Sequence, residues 1–136
     1  MSKNKMTLAF DGLTQMMEKL ESLEGNVKDA TTIALTQSRD YVNSGLRSAM
    51  TPHNRTGETV NSLKDSKVKW TGSVAEIGVG FDLENGGLPS VFLMYGTPRI
   101  TPDKNLYNAI YGSKTKKQIA NIQQGVFSDA VREAMK

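Results

Sequence analysis

His53 is the only histidine in 136 residues, and cysteine is absent. Two side chains that often carry nucleophilic, acid–base or metal chemistry are thus reduced to one imidazole. A histidine metal cluster cannot be built within one chain. A catalytic triad would have to run through His53, which sits in Thr51-Pro52-His53-Asn54-Arg55-Thr56-Gly57-Glu58, a run of turn-forming residues. No Gly-x-Ser-x-Gly elbow accompanies it, so it reads as a solvated loop histidine. The carboxylates show no paired spacing: Asp82 and Glu84 share a polar loop and the others are scattered, so neither a cation site nor a glycosidase pair is specified. Gly78-Val79-Gly80 begins like a dinucleotide fingerprint but lacks the third glycine and the helix that should follow; these read as strand-end glycines. Asn54-Arg55-Thr56 fits a glycosylation sequon with no secretory signal before it. Without cysteine, disulfide scaffolds, thiolate zinc sites and iron–sulfur clusters drop out as well. The expectation is a protein that is not an enzyme and carries no cofactor.

One charged cluster remains. The formal charge is +3, and all of it lies in residues 101–136, which hold six basic residues against three acidic ones. Lys114, Lys116 and Lys117 could contact phosphate, because neutralising phosphates releases counterions. No aromatic interleaving or groove-reading motif surrounds them in the sequence, and a solvated helix start is the competing reading. Trp70, Phe92, Tyr95, Tyr107 and Tyr111 read as core or interface packing.

The elements that must position these residues follow from periodicity. With 38% hydrophobic residues, the chain suits one α+β domain spanning 1–136. No window reaches the roughly 20 apolar residues of a membrane span, and Thr7-Leu8-Ala9-Phe10 is cut off by Asp11-Gly12, too short for a signal-peptide core. We therefore expect a soluble chain made in a cytoplasm. After a polar arm at 1–9, Phe10, Leu13, Met16, Met17, Leu20 and Leu23 recur every three or four residues, with Asp11 as N-cap and Gly25-Asn26 as the stop. Val27, Ala30, Ile33, Ala34, Tyr41, Val42, Leu46 and Ala49 then predict a helix to Met50, ended by Thr51-Pro52. Ser38 and Gly45 lie on or beside that stripe, where either another element approaches or the glycine is simply tolerated.

Thr59–Leu63 predicts a helical turn or two. Alternation then predicts strands at Val68–Trp70 and Ala75–Phe81, linked by a Gly72-Ser73 turn. Residues 81–90 read as a flexible loop, and the apolar run Val91–Tyr95 as a third, more buried strand. Thr101 reads as the N-cap and Pro102 as the first position of a short helix broken at Gly112-Ser113. Ile119, Ile122, Val126, Ala130 and Ala134 mark the terminal helix, with Gln123 on another face.

The order of these pieces carries more than any single residue. A long helix is followed by Pro52 to Gly57 (Pro-x-x-x-Thr-Gly), then Ile77-Gly78-Val79-Gly80, then Tyr95-Gly96-Thr97-Pro98, then Leu106-Tyr107-Asn108-Ala109-Ile110 and a closing helix. This order resembles the small neck, or tail-completion, proteins of long-tailed bacteriophages, a family of head–tail connector components, with Met94 standing where the family has an acid. The resemblance implies a small antiparallel sheet packed with a long N-terminal helix and a C-terminal helix. It implies a structural virion protein: a homo-oligomeric ring, hexamer or dodecamer, in the neck. Its partners would be the head-closure or connector protein on one side and a tail tube or tail terminator protein on the other. DNA would pass through the lumen without sequence specificity, and no membrane would be involved. The candidate subunit and partner contacts are Pro52, Arg55, Thr56, Gly57, Asp82, Asn85, Gly86, Tyr95, Gly96, Thr97 and Pro98, and the candidate DNA-facing residues are Lys114, Lys116 and Lys117. The 81–90 and 52–57 loops are expected to become ordered on assembly, being too polar for core packing to fix them. The alternative reading is a nucleic-acid-binding module that uses the basic C-terminal region.

Overall fold

The computed structural model describes residues 5, 6, 8, 12–53, 57–63, 67–72, 74–82 and 86–136. In chain order the elements are β1 (Lys5–Met6), α1 (Leu13–Ser22), α2 (Val27–Ala49), a 3₁₀ turn (Thr51–His53), α3 (Glu58–Asn61), β2 (Lys69–Thr71), β3 (Val74–Gly78), α4 (Pro89–Tyr95), α5 (Lys104–Tyr111) and α6 (Ser113–Ala134). The expected α+β class holds: a small antiparallel sheet sits among mostly helical elements, with long helices toward both ends. β2 and β3 form a hairpin in the register Lys69↔Glu76 and Trp70↔Ala75, and β1 adds a two-residue strand on the other edge of β3.

α1 starts at Gly12, whose left-handed backbone (φ 83) takes the N-cap position; the expected cap, Asp11, lies outside the described residues. The helix stops because Glu24 turns left-handed and the Gly25 N–H bonds the Leu20 carbonyl at 2.8 Å. A Cβ at position 25 would sit 2.1 Å from Leu20 Cδ1, so any larger residue there would have to displace the buried Leu20 side chain. Asn26 restarts the chain as N-cap of α2, its side chain accepting from the Asp29 N–H. The 23 residues of α2 make a rod about 35 Å long, which both apolar clusters share. One cluster joins Leu35, Val42, Leu46 and Met50 to Ile77, Val79 and Phe81, and to Met94 and Leu106. The other joins Ala30 and Ala34 to Leu20 and to Phe127 and Val131 of α6.

Five expectations are corrected. Val91–Tyr95 is not a strand but most of helix α4. A five-residue apolar run carries no period that separates a strand from a buried helix, and Pro89 at the first turn presets the helical φ. The loop expected at 81–90 is shorter, since Phe81 is buried core and bridges Leu63, while Pro89 and Ser90 belong to α4. Residues 83–85 lie outside the described residues. The cap of α5 is Asp103, whose carboxylate accepts from the Asn105 and Leu106 N–H groups, and Thr101-Pro102 precede the helix. The buried row of α6 is Thr115, Gln123, Phe127 and Val131, rotated from the expected stripe, and Gln123 is fully buried. Ile33, expected in the core, is half exposed.

At Ser38 and Gly45 other elements do approach. Gln123 Nε2 reaches Ser38 Oγ at 3.3 Å, and Ser38 Oγ in turn donates to the Ala34 carbonyl. A Cβ at Gly45 would lie 3.7 Å from Ala109 of α5.

Candidate functional site

The two polar loops singled out by the sequence lie side by side. Gly57 is left-handed (φ 80) and takes the N-cap position of α3. A Cβ on Gly86, also left-handed at φ 101, would come within 2.9 Å of Glu58 Cγ, one residue past Gly57. The Asp82 N–H donates to the Ser62 carbonyl and the Asp82 carbonyl accepts from Gly87, both at 2.8 Å. Pro52 lies exposed in the 3₁₀ turn. Arg55, Thr56 and Asn85 lie outside the described residues.

α4 carries the chain from these loops to the second candidate surface. Its seven residues span about 10 Å and end at Gly96, where φ is 81 and a Cβ would meet Pro102 Cγ at 2.7 Å. Thr97 fixes the turn that follows: its N–H donates to the Ile100 carbonyl, and its Oγ1 accepts from the Arg99 and Ile100 N–H groups. A hydrogen-bonded turn over Thr97–Ile100 therefore follows Tyr95 and Gly96, with Tyr95 and Pro98 exposed.

Around that turn lies a surface that the sequence did not reveal as a unit. Tyr95 packs edge-on to Tyr107 with ring centroids 6.0 Å apart, and Tyr107 lies 4.9 Å from Tyr111. All three are exposed, as are Phe92 and Ile100 nearby in the chain. A hydrogen bond with Tyr111, helped by partial burial, holds the Tyr95 phenol above its ordinary range. The Tyr107/Tyr111 pair at i,i+4 could have been read from the sequence; the arrival of Tyr95 depends on the Gly96 turn. Lys114, Lys116 and Lys117 follow on the first turn of α6, exposed, with no acidic residue among them. In the sequence these lysines follow directly on the exposed Tyr107 and Tyr111. Trp70 is set apart, half-buried under Lys28 Nζ at 5.2 Å from its ring centroid.

His53 is not a solvated loop histidine. Its Nε2 lies 2.6 Å from Asp103 Oδ2, and both side chains are mostly buried. This contact, with the backbone bonds from Asn105 and Leu106, holds the Asp103 carboxyl below the usual range against the opposing pull of burial. The Asp103 N–H also donates to the Leu93 carbonyl at 2.7 Å, so one residue ties the end of α2, α4 and α5 together. Fifty residues separate the pair, and no local spacing could have signalled it. Gly80 keeps its strand-end role: left-handed, it donates its N–H to Asn43 Oδ1 at 3.0 Å. Among the described residues no three His, Asp or Glu side chains gather as metal ligands, and no helix is long and apolar enough to cross a membrane.

Compared with known proteins, the chain matches no family model, no curated protein and no solved structure.

Proposed function

We propose that this chain is a structural virion protein of a tailed phage. As a homo-oligomeric ring in the neck, it would join the DNA-filled head to the tail during assembly. The observation that supports this reading is the ordered set of motifs, two of which, Pro52 to Gly57 and Tyr95 to Pro98, contain glycines with positive φ, Gly57 and Gly96. Gly57, Gly86 and Gly96 each hold a left-handed turn, and Gly96 leads from α4 to the exposed tyrosines. Turns fixed by local hydrogen bonds, with aromatic rings beside them, suit protein contacts, where tyrosine adds area at little entropic cost. Different surfaces on one chain are what a cyclic, heterologous assembly needs. In this reading the partners are the head-closure or connector protein and the tail tube or tail terminator, and nonspecific DNA runs through the lumen.

Deleting the gene tests it: filled heads and finished tails should accumulate unjoined, and normal joining without the protein would refute the role. Nucleic-acid binding is the second reading, and one observation favours it: exposed Tyr107 and Tyr111 stand just before the lysines, a pairing that can stack bases and track phosphates. DNA binding that falls steeply with salt and is lost in Lys114→Ala/Lys116→Ala/Lys117→Ala would favour this reading.

A further inference from the structure

Between α2 and the C-terminal half of α6 lies an open groove of about 630 Å³. Ile33, Val126 and Ala130 supply apolar floor, and among the described residues Asp29, Asp129 and Glu133 are the charged ones that line it. Ile33 is half exposed although its neighbour Ala34 is fully buried, so the floor offers apolar surface that the fold itself does not cover. The opposite end of α6 has the complementary chemistry: Lys114, Lys116 and Lys117 carry no acid among them and follow the exposed Tyr107 and Tyr111. Lys116 and Asp129 are thirteen residues apart on this helix, about 20 Å along its axis. One face cannot reach the other within a chain.

We propose that the acidic groove receives, from a second copy of this chain, the segment from Tyr107 of α5 to Lys117 at the start of α6, in a head-to-tail contact. Tyrosine rings would cover Ile33 and Val126 while lysines meet the carboxylates on the rim. The contact is heterologous, joining two different patches, so it propagates to a ring or a filament rather than stopping at a dimer. Asp129 and Glu133 already pair with Arg132 at 3.1 Å and Lys136 at 2.8 Å, but those i,i+3 pairs are largely exposed and weak enough to exchange for an incoming lysine. Lysines at the start of α6 also oppose the helix dipole, a cost that partner carboxylates relieve. The proposal deepens the ring reading and rests on it for closure.

Sedimentation of the full chain over a concentration and salt series tests it. Self-association should weaken as salt rises from about 0.05 to about 0.5 M, because the rim charges are screened. Asp129→Lys/Glu133→Lys and Lys116→Glu/Lys117→Glu should each weaken association about tenfold or more, and all four changes in one chain should restore it. Every changed position is exposed, and circular dichroism of each variant checks that it is folded. Ile33→Ser should weaken association with no change of charge. A chain that stays monomeric, association indifferent to both swaps, or failure of the four-fold variant to recover would overturn the proposal. So would a lysine face that binds a single-stranded oligonucleotide while the chain remains monomeric. The two readings fail separately. Restored self-association with heads and tails joined normally in the deletion strain would refute the neck role and keep the contact, and indifference to the swaps with unjoined heads would do the reverse.

Discussion

Two residue-scale contacts decide how α2 is held by its neighbours, and neither has a local signature. Asp103 caps α5 and meets His53, so Asp103→Ala removes both the cap and the pairing and should cost about 1 to 2 kcal/mol at pH 7. Asp103→Asn keeps a capping oxygen and should cost less. The pH dependence follows from the direction of the shift. The Asp103 carboxyl titrates lower in the folded chain than when unfolded, so its contribution is complete above the unfolded value near 4 and fades as pH falls through the folded one. Urea unfolding at pH 7 and at pH 3 should show the gap between wild type and Asp103→Ala narrowing in acid; an unchanged gap would remove the carboxylate from the account. Gln123 is the second case. Ser38→Ala removes the hydroxyl that Gln123 Nε2 reaches at 3.3 Å and should cost about 1 kcal/mol, whereas Ser38→Ala with Gln123→Leu removes both polar groups. A double-mutant cycle should return a coupling of about 0.5 kcal/mol or more, and simple additivity would deny the contact.

At the scale of elements, what could be read from the sequence was whatever had a period or a local stop. α2 shows both: its stripe runs unbroken to Thr51-Pro52, and the helix ends at Ala49. The β2–β3 hairpin was legible from strict alternation. α4 was not, because Val91–Tyr95 is apolar throughout and only the pattern of burial identifies its conformation. Ser90 and Met94 are buried while Phe92 and Tyr95 are exposed, an i,i+4 pairing that a helix produces. In a strand, positions 92 and 94 would share a face. Met94→Ala should therefore cost about 2 to 4 kcal/mol and Phe92→Ala less than about 0.5; equal losses would contradict the helix. The candidate surface was partly legible for a related reason. The turn glycines announce themselves in sequence, and Gly57, Gly86 and Gly96 all adopt φ values that L side chains rarely take. Which exposed side chains gather beside those turns depends on tertiary placement, so the tyrosine cluster and the acidic groove emerged only with the fold.

Across the whole molecule, two apolar clusters share one rod. The first packs the C-terminal half of α2 against the sheet, α4 and α5, and the second packs its N-terminal half against α1 and α6. Neither cluster can lose α2 without uncovering the other, and the buried Ser38–Gln123 contact lies on α2 between Ala34 of one cluster and Val42 of the other. The structure should therefore unfold in one step. The single tryptophan allows a direct test, because Trp70 sits on the hairpin beside Lys28 of α2, whereas Phe127 is wholly buried in the cluster formed with α1 and α6. Phe127→Ala should cost about 3 to 5 kcal/mol. If the clusters are coupled through α2, the loss must shift the fluorescence midpoint of Trp70 by as much as the far-ultraviolet circular dichroism midpoint of the helices. Were the clusters independent, the dichroism curve would split and the tryptophan transition would stay where it was.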